Sequence, residues 1–419
     1  MMDYKKYVLE LAESGKSASR GMASAGREEK NRALLEMAEL LEKSREEIED
    51  ANRKDLEAGE KSGLNSAMLD RLRITPERLR GMANGLRDVA ALDDPVGKVI
   101  AERVRPNGLV ISRVRDPIGV IGIIYESRPN VTVDAAGLCL KSGNAVILRG
   151  GKEAINSNLV LAHILRRVLE STALPVDALQ IVNITDRAVV GDLLKMDQYI
   201  DLIIPRGGES LIRTVVEGST IPVIKHYQGI CHIYVAAEAD LKMALEIVDN
   251  AKTQRPGVCN AVETVLVDEK IAERFLPVLR ELLEKKGVEL RGCERTISIL
   301  PGIKAAVEED WGTEYLDLIL SVRVVSGVNA AIDHINTYGS RHSDAIITGN
   351  EADAELFTRR VDSAAVYVNA SNRFTDGGEF GLGAEIGIST DKLHARGPMG
   401  LEELTTYKYV IRGEGQIRV

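Results

Sequence analysis

The sequence is short of cysteine and aromatic residues, and it has no apolar run long enough to cross a bilayer. Its four cysteines, at positions 139, 231, 259 and 293, show neither a disulfide framework nor the CxxC spacing of a metal site. We therefore expect free, reduced thiols and no bound metal. The first residues lack the apolar core of a signal peptide, which predicts a cytoplasmic protein. The missing apolar run argues against a membrane-spanning helix.

A surplus of positive charge is also missing. The chain of 419 residues carries 54 Lys and Arg against 63 Asp and Glu, a formal net charge of −9. This balance argues against nucleic acid or an anionic membrane as the main partner, although a local group of arginines can still bind an anionic substrate. With 44% hydrophobic residues, a chain of this length is expected to form two or more domains.

Short apolar strands alternate with helices through the middle of the chain. Before them, helical spacing over 30–60 predicts an amphipathic helix or pair of helices, and Asn107-Gly108 predicts a hairpin over 97–115. The alternation itself predicts strands at 119–124, 144–148, 179–182 and 200–204, each followed by a helix. Near-continuous apolar strands of this kind indicate an α/β fold with a doubly wound parallel sheet.

No GxGxxG sequence follows these strands, so a bound dinucleotide needs another phosphate-binding arrangement. Two pairs of glycines are candidates for this phosphate-binding arrangement. The first pair, Gly207 and Gly208, joins a strand to a helix and is followed by Ser210, so that backbone N–H groups can approach a phosphate. The second pair lies between Arg149 and Lys152, which suit a ribose phosphate. A simple turn is the alternative at each pair.

Cys259 lies between a predicted helix over 241–252 and a predicted strand over 263–267. A tight turn is predicted just before it, and Arg255 adds positive charge. A cysteine presented on such a loop suits nucleophilic catalysis, whereas Cys139, within an apolar segment, suits packing. Cys259 is therefore the candidate nucleophile.

The most specific sequence patterns lie in short segments at 116–121, 125–130, 128–132, 141–149, 254–260, 374–381, 383–390 and 394–400. Their order along the chain resembles that of the aldehyde dehydrogenase superfamily, from the N-terminal helices onward. The segments at 125–130, 254–260 and 374–400 are similar to those of its acyl phosphate reductases.

We expect an aldehyde dehydrogenase-like architecture with three regions. A dinucleotide-binding domain is expected over 1–235, with the hairpin at 97–115 projecting from it, and an α/β catalytic domain over 236–400. The remaining 401–419 is expected to form an oligomerisation strand. In the superfamily such a tail and hairpin extend a neighbouring subunit's sheet, so the resemblance implies a homodimer or homotetramer.

The resemblance implies NADPH-dependent reduction of L-glutamate 5-phosphate to L-glutamate 5-semialdehyde, the second step of proline biosynthesis. Cys259 would attack the acyl phosphate, and hydride from NADPH would reduce the resulting thioester. Asn130 matches the superfamily asparagine that stabilises the oxyanion, with a turn residue as the alternative. Glu314 resembles the carboxylate that contacts the nicotinamide ribose. Transient contact with glutamate 5-kinase is a further possibility of this assignment.

The implied substrate carries a carboxylate, an acyl phosphate and an ammonium group, so its pocket needs charges of both signs. Arginine binds carboxylate and phosphate through its planar pair of donors. The candidate substrate-binding residues, in or near the specific segments, are Arg128, Arg255, Arg341, His342, Arg373 and Asp376. A surface ion pair is the alternative for each arginine.

His226 lies where hydrolytic relatives carry the glutamate that activates water. A reductase that forms a thioester keeps it from hydrolysis by lacking that base. Packing or hydrogen bonding is the alternative role for His226. The missing glutamate disfavours a second interpretation, an NAD(P)-dependent hydrolytic aldehyde dehydrogenase. A catalytically silent nucleotide-binding or scaffold protein is the third, and fast alkylation of Cys259 would argue against it.

Overall fold

A computed structural model describes residues 3–418, with the exception of the side chain of Ala67. The chain divides into two compact units. The first contains the residues up to Lys225 together with Gly381–Gly387 and the segment from Met399 onward. The second contains His226–Phe380 and Ile388–Pro398. Within the described residues, none of the helices combines the length and the apolar character that crossing a membrane requires.

The helices and strands up to Lys225 are α1 (Tyr4–Ser24), α2 (Arg27–Lys43), α3 (Arg45–Lys61), α4 (Ser66–Leu72), α5 (Pro76–Ala91), β1 (Val99–Val104), β2 (Val110–Pro117), β3 (Val120–Tyr125), α6 (Asn130–Lys141), β4 (Ala145–Arg149), α7 (Ile155–Glu170), β5 (Leu179–Ile181), α8 (Ala188–Leu193), β6 (Leu202–Arg206) and α9 (Glu209–Gly218).

The second unit follows with β7 (Cys231–Val235), α10 (Leu241–Thr253), β8 (Val262–Asp268), α11 (Ala272–Glu284), β9 (Glu289–Gly292), α12 (Glu294–Ile299), β10 (Lys304–Ala305), β11 (Ile319–Val325), α13 (Val328–Tyr338), β12 (Ser343–Ile347), α14 (Glu351–Arg360), β13 (Ala365–Val368), β14 (Ile388–Ser389) and β15 (Gly397–Pro398). The last strand, β16 (Thr405–Arg412), belongs to the first unit.

The amphipathic helices expected over 30–60 are present as α2 and α3. In α2 the apolar residues Leu34, Met37 and Leu41 recur at helical spacing and are buried, which gives the helix one core-facing side. Thr75 caps α5, because its side chain accepts the backbone N–H of Arg78 at 3.2 Å. Most charged residues of α2 lie on the exposed side of the helix, whereas Lys30 is buried.

The predicted hairpin is formed by β1 and β2. Its turn uses Gly108 at a φ of 87°, a left-handed conformation that costs glycine little. Strand β16 pairs antiparallel with β2 along its whole length, from Thr405 opposite Pro117 to Arg412 opposite Val110. The resulting three-stranded sheet has the order β1-β2-β16, and all residues of β1 are exposed. Hairpin and tail are therefore joined within one chain, and their role in assembly stays a prediction.

The first unit contains a parallel sheet with the strand order β5-β4-β3-β6. Every residue of β3 and β4 is buried, which explains their continuous apolar sequences. The chain runs outward from β3 to β5 and then returns to place β6 on the other side of β3. The doubly wound parallel sheet is confirmed, and its topological switch point lies between β3 and β6.

The second unit contains a larger parallel sheet, ordered β10-β9-β11-β8-β7-β12-β13. Strand β7 hydrogen-bonds to both β8 and β12 in this sheet. The domain boundary expected at residue 235 therefore falls earlier, before His226, because β7 belongs with the second unit. The catalytic domain expected over 236–400 is also interrupted, because Gly381–Gly387 and the residues from Met399 onward belong to the first unit. Within that unit the Ile386 N–H donates to the Met399 carbonyl at 2.9 Å.

Candidate active site around Cys259

Cys259 lies on the connection between α10 and β8, as the sequence pattern predicted, and it is half-buried. Strands β7, β8 and β12 are neighbours in one parallel sheet, so their amino ends lie at the same edge. Cys231 begins β7, Cys259 comes shortly before β8, and His342 directly precedes β12. Strand pairing therefore assembles residues that are more than a hundred positions apart in the sequence.

Two histidines accompany the candidate nucleophile. A ring nitrogen of His226, a ring nitrogen of His342 and the Cys259 sulfur all lie within 4.8 Å of one another. The two rings meet edge to face with centroids 5.6 Å apart. His342 is buried and His226 is half-buried. His342 was predicted as a substrate ligand, and the structure places it beside the sulfur.

The tautomer of His226 follows from its hydrogen bond. Its Nδ1 lies 2.8 Å from the carbonyl oxygen of Ile388. A carbonyl only accepts hydrogen bonds, so Nδ1 carries the hydrogen and Nε2 of the neutral ring carries a lone pair. His226 can therefore accept a proton at Nε2.

Cys231 supports the Cys259 loop rather than competing with it as a nucleophile. Its sulfur donates to the backbone carbonyl of Cys259 at 3.2 Å. Burial raises the pKa of Cys231 well above its ordinary value, so the group stays a thiol. Cys139 is buried in α6, and burial raises its pKa too. The apolar surroundings of Cys139 confirm the packing role expected from its sequence.

Cys293 has an environment that the sequence did not reveal. It is half-buried, and burial alone would raise its pKa. A hydrogen bond with the Thr296 hydroxyl and one from the Val324 backbone N–H outweigh burial, so the pKa of Cys293 lies below its ordinary value. Any measurement of Cys259 reactivity must therefore account for this second accessible thiol.

The Cys259 loop packs directly against another stretch of backbone. A Cβ placed on Gly229 would lie only 2.0 Å from the Cys259 carbonyl oxygen and 2.5 Å from its Cα. Only glycine allows so close an approach, because the atoms it meets belong to the backbone and not to a flexible side chain. The segment before β7 thus fixes the position of the nucleophile.

Hydrogen bonds of Asn260 and Arg373 hold the other side of this loop. The Asn260 amide donates to the Thr375 carbonyl at 2.8 Å, and Arg373 donates through Nη1 to the Asn260 side-chain oxygen. Burial and the charge of Arg255 lower the pKa of Arg373. Positive charge from both arginines therefore lies close to the Cys259 loop, and their role in substrate binding stays a prediction.

Two other predicted substrate residues have local partners. The Asp376 carboxylate is exposed and accepts the Gly378 backbone N–H at 2.9 Å, which closes a turn. Arg341 lies 3.7 Å from Asp362 as an exposed ion pair, the alternative that was considered for it.

A buried ion pair lies behind the Cys259 loop. Lys252, at the end of α10, donates to Glu263, near the start of β8, at 2.7 Å, and both side chains are fully buried. Burial raises the pKa of Glu263 to about 7 and lowers the pKa of Lys252. Glu263 also accepts the Leu316 N–H at 3.3 Å. The pair therefore ties both ends of the loop to the segment that carries Glu314, which is half-buried.

In the first unit, Asn130 is the first residue of α6 and is exposed. Its side-chain amide donates to the Asp134 carboxylate at 2.9 Å, one helical turn onward. Burial raises the pKa of Asp134 to about 6. Arg128 precedes the helix on an exposed part of the loop. Asp134 was not among the predicted site residues, although its position four residues after Asn130 was a usable signal.

The loop between β6 and α9 binds an anionic oxygen of the chain itself. Gly208 N–H donates to the Glu126 carboxylate at 3.0 Å, and a Cβ on Gly207 would lie 2.5 Å from the same oxygen. Ser210 is exposed in the first turn of α9. This loop lies at the topological switch point, where ligands of doubly wound sheets bind. Its donors fit a nucleotide phosphate that replaces the Glu126 carboxylate.

Arg149 and Lys152 differ in their availability. Arg149 is buried at the end of β4 and donates to the carbonyls of Gly150 and Thr185, each at 3.2 Å. Burial lowers the pKa of Arg149. Lys152 is exposed. A phosphate can therefore reach Lys152 directly, whereas Arg149 would first have to break its hydrogen bonds to the Gly150 and Thr185 carbonyls.

The fold is shared with known proteins. The model of the aldehyde dehydrogenase family matches residues 3–306. An acetylating aldehyde dehydrogenase from Geobacillus thermoglucosidasius shares the fold, with a TM-score of 0.69 at 17% identity over 99% of this chain and 98% of that one. The chain therefore belongs to the aldehyde dehydrogenase family, as its motifs suggested.

More similar proteins define the branch of the family. Gamma-glutamyl phosphate reductase of Moorella thermoacetica is 59% identical over 414 residues, which cover 98% of this chain and 99% of that protein. The crystal structure of gamma-glutamyl phosphate reductase from Thermotoga maritima has a TM-score of 0.97 at 50% identity, over 98% of this chain and 100% of that one. Within the family, this chain is thus a member of the gamma-glutamyl phosphate reductase group.

Proposed function

We propose that the chain reduces L-glutamate 5-phosphate to L-glutamate 5-semialdehyde, the second step of proline biosynthesis, with NADPH as reductant. Its similarity to gamma-glutamyl phosphate reductases extends over nearly its whole length. The observation that carries the proposed mechanism is the half-buried thiol of Cys259 with two imidazoles beside it. This arrangement suits covalent catalysis at an acyl carbon.

In the proposed reaction, Nε2 of His226 accepts the proton of the Cys259 thiol. The thiolate attacks the carbonyl carbon of the acyl phosphate, and the phosphate group leaves as a thioester forms on the sulfur. NADPH, when bound, supplies the hydride that reduces this acyl group to the aldehyde. The backbone N–H of Cys259 and the side-chain amide of Asn130 are the proposed donors to the oxyanion.

Substrate binding is assigned to the positive charge near Cys259. Arg255 and Arg373 attract the anionic groups of the substrate. Arg128, His342 and Asp376 complete the proposed set, with Asp376 suited to the substrate ammonium. Of these, His342 also borders the sulfur.

Cofactor binding is assigned to the glycine loop and to two charged side chains. The N–H groups at Gly207 and Gly208, with the Ser210 hydroxyl, would hold a phosphate group of NADPH. Lys152 and Arg149 would meet the 2′-phosphate, with Lys152 already exposed. The Glu314 carboxylate would accept hydrogen bonds from the nicotinamide ribose.

The reaction class can be tested in the reverse direction. Oxidation of glutamate 5-semialdehyde with NADP⁺ should require inorganic phosphate, because phosphate must release the acyl group from Cys259, and arsenate should replace it. Cys259→Ala should lower the rate by at least about a thousandfold, as expected for loss of a nucleophile. Cys293→Ala is the matched control and should retain activity.

A rapid oxidation to free glutamate in phosphate-free buffer would contradict this proposal and favour a hydrolytic aldehyde dehydrogenase. Comparing NADPH with NADH in wild type and in Lys152→Ala tests the cofactor assignment separately. The substitution should weaken NADPH more than NADH, since only NADPH carries the 2′-phosphate.

A further inference from the structure

The cluster of Cys259, His226 and His342 has the composition of a zinc site. Thiolate and imidazole are preferred zinc ligands, and tetrahedral bonds of 2.0–2.3 Å place ligand atoms roughly 3.4–3.8 Å apart. The three ligand atoms here lie within 4.8 Å of one another, so movements of about 1 Å would bring them to tetrahedral geometry. We propose that this cluster binds Zn²⁺ reversibly, with water as a fourth ligand, and that the bound ion blocks the thiol.

The hydrogen bonds of the two rings resemble those that orient metal-binding histidines. Nδ1 of His226 donates to the Ile388 carbonyl at 2.8 Å, which leaves Nε2 as its metal-binding atom. Nδ1 of His342 lies 2.9 Å from the Ser343 hydroxyl, and that hydroxyl lies 2.6 Å from Thr375 Oγ1. Both rings are therefore held in orientation before any ion arrives.

Burial and charge determine how tightly the ion is held. His342 is buried, whereas Cys259 and His226 are half-buried, so solvent reaches the cluster and supplies the fourth ligand. As the sulfur–zinc bond forms, the thiol proton passes to solvent and no electron is transferred. The thiolate cancels one of the two zinc charges, but Arg255 and Arg373 oppose the remaining one. This repulsion lowers the affinity for the ion, so that the ion can leave again.

The test measures the accessibility of Cys259 in a Cys293→Ser background, because the other two cysteines are buried. Alkylation of Cys259 by iodoacetamide is followed by mass spectrometry with increasing Zn²⁺, and with Mg²⁺ as the control ion. Zinc should slow alkylation by about tenfold or more, as expected when a thiolate ligand is held by the metal, and Mg²⁺ should not.

Histidine variants in the same background identify the ligands. His226→Gln should require roughly 10–100-fold more zinc for the same protection. His163→Gln, an exposed histidine on α7, is the matched control and should behave as the parent protein. Unchanged alkylation in zinc, or equal protection in both histidine variants, would overturn the proposal.

A second measurement needs no histidine variant. Co²⁺ added to the Cys293→Ser protein should give a thiolate-to-cobalt charge-transfer band and the visible bands of tetrahedral cobalt. Both should be lost in Cys259→Ser, and their absence in the parent would count against the site. All readouts concern metal binding, so they stand apart from the outcome of the reductase assays.

Discussion

At the scale of single residues, the side chain that holds Asn130 matters as much as Asn130 itself. The Asp134 carboxylate accepts the Asn130 amide at 2.9 Å and thereby sets its orientation. Burial raises the pKa of Asp134 from 3.8 to about 6, although the Asn130 hydrogen bond and Arg206 act in the opposite direction. The orientation of the proposed oxyanion donor therefore depends on a carboxyl whose charged form is disfavoured by burial.

The raised pKa of Asp134 makes the stability of the folded protein depend on pH. A carboxyl with a raised folded-state pKa favours the folded state below pH 3.8, and this contribution is lost as the pH rises through about 6. Asp134→Asn cannot ionise, so its free energy of unfolding should improve relative to wild type between about pH 4 and pH 7, by at most about 3 kcal/mol. The gain will be smaller to the extent that water reaches the half-buried carboxyl.

Urea unfolding of both proteins across this range measures the difference, and Asp88→Asn, an exposed carboxylate on α5, is the control. A difference between Asp134→Asn and wild type that stays constant with pH would show that the carboxyl is not perturbed. The same variant should also lower turnover if Asp134 positions Asn130.

Some residues of the site could be predicted from the sequence, and others could not because their positions depend on strand pairing. The loop position of Cys259 followed from a helix and a strand that are its neighbours in the chain. His342 could not be placed beside Cys259, because their proximity depends on the pairing of β12 with β7 and of β7 with β8. Likewise, Glu126 lies within a noted motif, but its bond to Gly208 depends on where β6 joins the sheet.

At the scale of structural elements, the active-site loop is fixed by backbone packing. The segment before β7 meets the loop before β8 at Gly229, with no room for a side chain. Local periodicity predicted β8 in outline, as a strand over 263–267, but β7 was not among the predicted strands. It did not predict which sheet contains β7, because membership in a sheet is decided by non-local hydrogen bonds.

We expect Gly229→Ala to displace the Cys259 loop. The added methyl would meet backbone atoms of Cys259 at 2.0–2.5 Å, which only a shift of the loop can relieve. The cost should be about 1–3 kcal/mol of stability, and activity should fall by roughly a hundredfold because the nucleophile is misplaced by about an ångström. Thermal unfolding and steady-state kinetics measure the two effects.

Gly257→Ala is the matched control in the same loop. Its added Cβ would have an ordinary contact of 3.6 Å with the Leu316 carbonyl oxygen. This variant should retain both its stability and most of its activity. If the two alanine variants had similar activity, the close packing at Gly229 would not be what positions Cys259.

At the scale of the whole molecule, the three-stranded sheet of hairpin and tail exposes apolar side chains on both of its outer strands. Val104 on β1 is 69% exposed, and Ile411 on β16 is 60% exposed. The two strands are the outer strands of the sheet, so their free edges can pair with another chain. Exposed apolar side chains on unpaired edges favour the proposed homodimer or homotetramer.

The double variant Val104→Lys, Ile411→Lys should therefore dissociate the assembly into single chains. Each lysine places a charge on an edge strand, and burying it in an interface would cost more than the lost apolar contact. Sedimentation velocity measures the mass, and far-UV circular dichroism checks that each chain stays folded. Leu35→Lys, at a 45% exposed position on α2, is the matched control and should leave the mass unchanged. A wild-type protein that sediments as a single chain, or a double variant that retains the wild-type assembly, would show that this sheet does not join subunits.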